Sequence, residues 1–448
     1  MSWLRRLIGA RRGTRLDMTR FRPVPQGGIL VGGAVRDALL GRTPADLDWL
    51  VPGPERAAND AATQLQGSAF ALDESRRHYR VVSSGRLRDY LPLDSEVEAD
   101  LRARDYTVNA MAAGPDGRLI DPTSGFADLR AKRLRMVSAG NLAADPLRPL
   151  RGARLSVELA FSIETATAAA IKRSAQAQLE GRAPLPAWER SGDEINKMLL
   201  GNGAAAAIRL LLELELLAVY LPELAQTLGV DQQGRHHTDV FNHLVEALKH
   251  LVSSYPEADL PLRWATLLHD VGKPTTAKFD ETRRYYRFIG HEEVGADIAG
   301  RMLRRLRLPS SHVAKVRLLV RRHMLALPAD RQEARRFVHR YRDLLPDLVK
   351  LKLADRDAKE RPLTEQARRR ADDGALELVL EELRASPRRQ PLLSGDDVMQ
   401  LLDLDEGPEV GEALRYLHEA EAVGEVAGRD DAIAALKRFA ALRGWVSG

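Results

Sequence analysis

A change in hydrophobic periodicity near Val137 constrains the fold of this chain more than any other feature. Before it, short β-prone runs alternate with helical stretches, which is typical of a small domain with strands and helices interleaved. The β-prone runs are residues 29–31, 47–51, 79–83 and 119–120. After Val137, apolar residues recur at helical spacing nearly to the end. The sequence therefore predicts an α+β fold that is mostly α, with strand signals confined to the first third.

Composition narrows the possible functions. The 448 residues suffice for about three domains, and an apolar fraction of 44% provides several cores. There is no cysteine, which excludes disulfides, thiolate zinc sites, iron–sulfur clusters and cysteine nucleophiles. A net charge of +5 permits a polyanionic partner without demanding one. No apolar run approaches the roughly 18–20 residues of a membrane-spanning helix, so we expect no membrane partner and a cytoplasmic location.

Two glycines and two acids form the first candidate site. Gly32 and Gly33 separate a β-prone run from a helical stretch, so their N–H groups can approach a phosphate at a helix N-terminus. Asp46 and Asp48 lie two apart in a predicted strand, which places both carboxylates on one face. Two such charges are costly unless a divalent cation lies between them. The pattern predicts Mg²⁺ held by catalytic carboxylates and substrate phosphates.

Five motifs follow one another over roughly residues 28–200. They are residues 32–37 with 46–48, 102–111, 121–129, 145–154 and 189–194. In sequence and in order they resemble the motifs of class II tRNA nucleotidyltransferases and bacterial poly(A) polymerases. The resemblance implies a mixed-sheet nucleotidyltransferase head. It also implies template-independent addition of nucleotides to an RNA 3′ end, in which the 3′-hydroxyl attacks the α-phosphate of a nucleoside triphosphate and pyrophosphate leaves.

The same resemblance implies which residues contact the nucleotide. The triphosphate and sugar contacts are Gly32, Gly33, Arg36, Arg104, Asp105 and Asn109, although Arg36 could equally brace the turn. Asp145 and Arg148, three apart and expected on one helical face, would read the base and select C or A over U and G. Arg151 and Arg154, further along that face, are candidates for the triphosphate. We interpret Glu189, Arg190 and Glu194 as a salt-bridge network that positions a helix.

The sequence departs from the family pattern at several positions. Ala103 and Ala144 replace an Arg and a Glu of the motifs, and Pro149 is unusual in a helix interior. The connector at residues 91–96 is short, whereas full CCA-adding members have a long flexible loop there. In the family, lacking that loop goes with enzymes that add C but not the final A, so we predict CC addition. Asp89, on the adjoining strand, is a candidate additional carboxylate.

Histidines and aspartates form a second candidate site after residue 240. A His-Asp pair closes an apolar helix that would not tolerate an unpaired charge. The order of the motif resembles the HD phosphohydrolase superfamily. The implied ligands are His243, His269, Asp270, His291, His323 and Asp355. Imidazole and carboxylate ligands suit Mn, Ni, Co, Fe, Zn or Mg²⁺. The resemblance implies phosphatase or cyclic phosphodiesterase activity on RNA ends or nucleotides, and the alternative is a decayed fold kept as an RNA-binding scaffold.

Arginine clusters recur in the rest of the chain and suggest contact with phosphates. They are Arg133 and Arg135, Arg301 with Arg304 and Arg305, Arg321 and Arg322, Arg335 and Arg336, 368–370, and Arg388 and Arg389. Because aromatic residues make up only 5% of the chain, we expect recognition of a folded RNA by shape rather than extensive base stacking. This favours tRNA, with CTP and possibly ATP, as partners, and the chain is expected to be a monomer or homodimer.

The predicted organisation has five parts. They are a basic leader at 1–25, the head at 26–137, a helical neck and body for base selection and RNA binding at 138–228, the HD domain at 229–360, and a helical RNA-binding region at 361–448. The leader lacks the apolar stretch of a signal peptide. Full CCA addition, A addition and poly(A) synthesis remain alternatives to CC addition. From other classes, the chain could be a phosphohydrolase with an RNA-binding head, or a purely structural RNA-binding protein.

Overall fold

A computed structural model describes residues 14–232, 239–282, 284–359, 366–385 and 392–445, with side chains except at 366–372 and 422–423. The chain divides into two compact units. Unit 1 comprises Met1–Ala225 with Arg305–Leu308, and unit 2 comprises Gln226–Arg304 with Pro309–Gly448. Residues 1–13 of the predicted leader, the expected boundary at 361–362, and Arg388 and Arg389 lie outside the described residues.

Unit 1 contains a seven-stranded mixed sheet, as the resemblance implies. Its strands are β1 (Ile29–Val31), β2 (Asp46–Val51), β3 (Ser68–Asp73), β4 (His78–Ser83), β5 (Arg86–Pro92), β6 (Ala112–Ala113) and β7 (Leu119–Ile120). They lie in the order β3-β4-β5-β2-β1-β6-β7. β2 and β5 are parallel, and the other neighbours in the sheet are antiparallel. The sequence analysis missed β3, an edge strand whose residues are alternately exposed and half-buried.

Helices complete unit 1. They are α1 (Gly33–Leu39), α2 (Pro54–Leu65), α3 (Val97–Arg102), α4 (Gly125–Arg130), α5 (Ala139–Ala144), α6 (Arg148–Leu159), α7 (Thr165–Leu179), α8 (Trp188–Leu200), α9 (Ala204–Glu213), α10 (Leu217–Tyr220) and α11 (Pro222–Ala225). Two further strands, β8 (Arg133–Leu134) and β9 (Ser162–Ile163), pair in parallel. Buried Val31, Leu50 and Leu101 belong to one apolar cluster, which fixes α3 against the strands that carry the acids.

Unit 2 is mostly helical. Its helices are α12 (Val240–Ser254), α13 (Leu260–Leu268), α14 (Lys273–Thr276), α15 (His291–Arg305), α16 (Ser310–Arg322), α17 (Arg331–Tyr341), α18 (Leu345–Asp357), α19 (Gln366–Ala385), α20 (Gly395–Leu402), α21 (Pro408–Val423) and α22 (Arg429–Arg443). A hairpin of β10 (Lys278–Asp280) and β11 (Tyr285–Arg287) interrupts them. The prediction that strands are confined to the first third is therefore wrong, because two three-residue strands stabilised by mutual pairing give too short a periodic signal.

Side-chain caps begin the helices that carry the second candidate site. Asp239 accepts a hydrogen bond from the N–H of Asn242 at the start of α12, and Asp259 does so from Leu262 at the start of α13. Both acids therefore fix where the apolar face of each helix begins. Within the described part of the chain, no helix combines the length and apolar character needed to cross a membrane.

Several of the predicted phosphate-binding arginines are paired with carboxylates within the protein. Arg133 and Arg135 both donate to Asp128, whose side chain is fully buried, so this one carboxylate offsets half of their combined charge and both arginines stabilise the head. Although burial alone would raise the pKa of Asp128, hydrogen bonds from Arg135, Thr107 and Arg133 hold it below its usual value. Arg305 likewise makes two hydrogen bonds to Glu223, within unit 1. The arginine clusters in the sequence therefore overestimate the positive charge that is available at the surface to contact phosphates.

Candidate active sites

The glycine turn of unit 1 brings backbone close to a cationic side chain. Gly32 links β1 to α1 with a φ of +75°, a conformation that favours glycine. A Cβ built at this position would lie 2.6 Å from Nη1 of Arg104. Gly32 also donates its N–H to the carbonyl of Met111 at 3.0 Å. The turn is therefore packed against the motif segment that contains Arg104.

Asp46 and Asp48 lie at the start of β2, two positions apart on the same side of the strand. The parallel register places Asp89 of β5 opposite Asp48. Burial raises the pKa of Asp48, the neighbouring Asp89 and Asp46 raise it further, and Arg104 lowers it, which together gives a pKa of about 6. A group of carboxylates whose mutual repulsion raises a pKa in this way fits a divalent cation, which would relieve that repulsion.

Asp89, expected as an additional carboxylate, has partners of its own on β4. Arg80 donates to both oxygens of Asp89 at 2.7 Å, and Nε2 of His78 lies 3.4 Å from Oδ2. The sequence analysis missed both partners because they lie on a different strand, where the antiparallel register of the folded sheet places Arg80 opposite Asp89.

The remaining residues of the sugar segment form a connected hydrogen-bond network. Arg36, which is 6% exposed, donates to Oδ1 of Asn109 at 2.6 Å and to Asp37 at 2.8 Å. Asn109 donates to Asp105 at 3.3 Å. Of the two roles considered for Arg36, this geometry favours the one in which it braces the turn. Arg104 remains half-buried and donates to Asp100 at 2.9 Å.

Asp145 and Arg148 do not lie on one helical face, so that prediction is wrong. α5 ends at Ala144, Asp145 is extended with φ −130° and ψ 115°, and α6 begins at Arg148. The carboxylate of Asp145 accepts from the N–H of Leu147 at 3.0 Å. That bond competes with helix continuation, as aspartate side chains commonly do. Pro149 therefore lies in the first turn of α6, where it is well tolerated.

Both residues of the expected base-reading pair are nevertheless held in place. Arg190 of α8 donates to Oδ2 of Asp145 at 2.8 Å. Nη1 of Arg148 donates to the carbonyls of Asn141 at 2.7 Å and Ala103 at 3.2 Å. Each side chain is thus held by hydrogen bonds to residues outside its own segment.

Glu194 anchors the two arginines expected at the triphosphate. Its buried carboxylate accepts from Nε of Arg154 at 2.6 Å and lies 3.6 Å from Nε of Arg151. Arg151 also donates to Asp105 at 3.2 Å. Of the predicted salt-bridge set, Glu194 and Arg190 form ion pairs with residues outside α8, while Glu189 is exposed.

The second site brings together all six of its expected residues in unit 2. They form two groups, within each of which the ligand atoms lie within 4.8 Å of one another. The groups are His243, His269 and Asp355, and Asp270, His291 and His323. They come from α12, the end of α13, the start of α15, the end of α16, and α18. The arrangement suits two metal ions, because imidazole and carboxylate donors converge in a buried space.

The histidine tautomers fit metal binding. Nδ1 of His269, His291 and His323 lies 2.7–2.8 Å from the carbonyl three residues earlier in each case. A proton on Nδ1 satisfies that carbonyl and leaves the Nε2 lone pair directed at the centre. The Nε2 atoms of His291 and His323 are 3.3 Å apart. Two lone pairs so close repel each other unless a proton or a cation lies between them.

Both aspartates of this site stay ionised. Burial alone would raise the pKa of each, but Lys273 beside Asp270 and Lys359 beside Asp355, together with the histidines, hold both well below the usual range. The ammonium groups lie 2.6 and 2.7 Å from those carboxylates. The sequence analysis missed both lysines, although each is within four residues of its aspartate.

Comparisons with known proteins now bear on these geometries. The profile of the poly A polymerase head domain matches residues 68–135, that of the probable RNA and SrmB-binding site of polymerase A matches 160–228, and that of the HD domain matches 240–360. An A-adding tRNA nucleotidyltransferase of Deinococcus radiodurans is 48% identical over 419 residues, covering 93% of this chain and 96% of the relative. The chain belongs to the tRNA nucleotidyltransferase family.

Other members of the tRNA nucleotidyltransferase family agree with this assignment. A CC-adding tRNA nucleotidyltransferase of Thermus thermophilus is 46% identical over 92% of this chain and 93% of the relative. A multifunctional CCA protein of Pseudomonas aeruginosa is 33% identical over 74% of this chain and 80% of the relative. The solved CCA-adding enzyme of Bacillus stearothermophilus with CTP aligns at a TM-score of 0.66 and 22% identity, covering 93% and 94% of the two chains. The latter shows that the fold is shared.

Proposed function

We propose that this nucleotidyltransferase adds two cytidine nucleotides to the 3′ end of tRNA and leaves the terminal A to another enzyme. Family membership gives the reaction class, and relatives at 46–48% identity include both a CC-adding and an A-adding protein. The choice between C and A therefore rests on the structure of this chain.

The connector between β5 and α3 carries the proposal. Only residues 93–96 separate the two elements, and the N–H of Leu93 donates to the carbonyl of Val51 at 2.9 Å. Asp94 forms an ion pair with Arg77. A pocket that accepts first C and then A has to change shape, which requires a mobile segment beside it. This connector is short and held at two positions, so it supports a pocket of one shape.

The residues of unit 1 suggest how the reaction proceeds. Asp46 and Asp48 would hold Mg²⁺, which activates the attacking hydroxyl and stabilises the leaving group when bound. The RNA 3′-oxygen forms a bond to the α-phosphorus, the bond from that phosphorus to the bridging oxygen breaks, and pyrophosphate leaves. Asp145 accepts a hydrogen bond from the exocyclic amine of cytosine, while Arg148 donates to its ring nitrogen and carbonyl.

The decisive experiment sizes the product at single-nucleotide resolution after incubation of tRNA lacking CCA with CTP, ATP or both. Addition of two C and no A supports the proposal. Addition of C, C and A contradicts the argument from the connector. Addition of a single A, and only to tRNA that already ends in CC, would show that the enzyme selects A rather than C. A long ladder of added A would indicate poly(A) polymerase activity.

A second activity is favoured by the histidine and aspartate site of unit 2. We infer that it hydrolyses phosphate esters with a divalent metal, either Mg²⁺ or a transition metal such as Mn, Ni, Co, Fe or Zn. The Nδ1-anchored imidazoles support this inference. Hydrolysis of a phosphate ester should be lost in His269→Ala and retained in Asp46→Ala. Nucleotide addition should be retained in His269→Ala and lost in Asp46→Ala.

A further inference from the structure

The hairpin of β10 and β11 exposes two aromatic rings. Phe279 is 42% exposed and Tyr286 is 39% exposed. They are directly paired in the antiparallel register, so both rings lie on one face of the ribbon. Their centroids are 5.2 Å apart at an interplanar angle of 68°. Trp49, Tyr106 and Trp264, by contrast, are fully buried.

The charge of this segment indicates the kind of partner that fits it. Residues 278–289 contain four basic and two acidic side chains, a net charge of +2. Arg284 is exposed at the turn, whereas Lys278 and Arg287, also exposed, are paired on the opposite face of the ribbon from the rings, and Arg287 lies 3.6 Å from Asp280. Aromatic rings beside basic side chains are the combination that binds single-stranded nucleic acid, since bases stack on the rings and phosphates meet the charges. A cationic partner would be repelled by the net positive charge of this segment, and an uncharged apolar partner would gain nothing from it.

The hairpin leads directly into the metal-binding cluster. Phe288 follows β11, and its carbonyl lies 2.7 Å from Nδ1 of His291. The ammonium of Lys273, bound to Asp270, lies 5.5 Å from the centroid of the Phe288 ring. Five residues separate Tyr286 from His291, so their Cα atoms are at most about 18 Å apart. A base on the ribbon is thus within a few nucleotides of the cluster.

We propose that Phe279 and Tyr286 form a base-stacking subsite that delivers the end of a single-stranded RNA to the HD centre. This rests on the phosphohydrolase activity proposed above and names its substrate class. Water forms the new bond to the terminal phosphorus, the ester bond to the ribose oxygen breaks, and that oxygen takes the proton. Arg284, exposed at the turn, contacts the RNA phosphates.

The test compares a short RNA ending in a 3′-phosphate or 2′,3′-cyclic phosphate with the same RNA carrying abasic terminal nucleotides. The full-length Phe279→Ala/Tyr286→Ala variant should lose about tenfold in kcat/KM on the normal RNA, through KM, and nothing on the abasic one. Phe279→Tyr and Tyr286→Phe should retain activity, because either ring stacks. Phe70→Ala, at a similarly exposed ring of unit 1, is the matched control.

Binding of both RNAs is also measured by fluorescence anisotropy in chelator-treated protein. The subsite is supported if the double variant binds the normal RNA more weakly than the wild type does but binds the abasic RNA equally well, whether or not hydrolysis occurs. Equal loss on both RNAs, or no loss on either, overturns it. Failure of the wild type to hydrolyse any RNA end with any of the metals contradicts the proposed hydrolase activity separately.

Discussion

Gly32 is constrained by its backbone conformation and by its neighbour. Gly32→Ala should destabilise the chain by about 1–2 kcal/mol, because φ is positive. Its Cβ would also displace Arg104, and we expect nucleotide addition to fall by about 100-fold as the site is misaligned. Steady-state kinetics on tRNA with CTP, together with calorimetry, would measure the two effects.

Gly41 provides the control for this prediction. It also has a φ of +75°, but a Cβ there would meet nothing within 4 Å. Gly41→Ala should therefore show the loss of stability without the loss of addition. Equal activity of the two variants would show that the approach of Gly32 to Arg104 has no functional role.

In the proposed function, in which Asp145 reads the base, Arg190 would act through Asp145 as a positioning residue. In Arg190→Ala the carboxylate of Asp145 loses its 2.8 Å partner and gains freedom to rotate. We expect the preference for CTP over UTP to fall by about tenfold, which corresponds to about 1.4 kcal/mol.

Single-turnover incorporation of each triphosphate would measure this preference, and Arg190→Lys should restore part of it. Arg182→Ala, which removes an exposed partner of Glu180, should leave the preference unchanged. A uniform loss of rate with both triphosphates would argue against a role in base selection.

At the scale of elements, α6 and α8 are joined by a buried carboxylate. Glu194→Gln keeps the side-chain volume but leaves Arg151 and Arg154 without their shared anion. Breaking a buried pair in this way should cost about 3 kcal/mol. The measurement is the calorimetric unfolding free energy, and exposed Glu189→Gln on the same helix should change it by less than about 0.5 kcal/mol. Similar values for both variants would mean that the network contributes little.

For the whole molecule, unit 2 should depend on metal for stability and unit 1 should not. Removal of metal with EDTA should lower the free energy of unfolding of unit 2. The expected loss is the binding free energy of the metal, about 2.7 kcal/mol at a metal concentration 100 times Kd. His323→Ala should reduce this difference, since it removes one of the three ligands of one group and leaves the group of His243, His269 and Asp355 intact.

Scanning calorimetry of both proteins, with and without the chelator, would measure the difference. Nucleotide addition by His323→Ala, assayed with Mg²⁺, should remain near that of the wild type. A metal-dependent shift of undiminished size in the variant would contradict the assignment of His323 as a ligand.

By itself, the sequence determined the helical character of most of the chain through local periodicity. It predicted the residues of both candidate sites from motifs whose members are close in the chain, such as Asp46 with Asp48 and His269 with Asp270. The mixed-sheet head was implied by the resemblance to a known family. The helical assignment failed at Asp145, where a side-chain hydrogen bond to the backbone ends the helix. The periodicity of a short hairpin was also too weak to detect at β10 and β11.

Only the tertiary structure decided which charges are neutralised and which are available. Arg133 and Arg135 donate hydrogen bonds to buried Asp128. Arg80 donates to Asp89, and Arg190 donates to Asp145. These pairs link different elements, and their energies depend on distance and burial that no spacing in the sequence encodes. The same holds for the exposed rings on the hairpin, because exposure is a property of what the rest of the chain leaves uncovered.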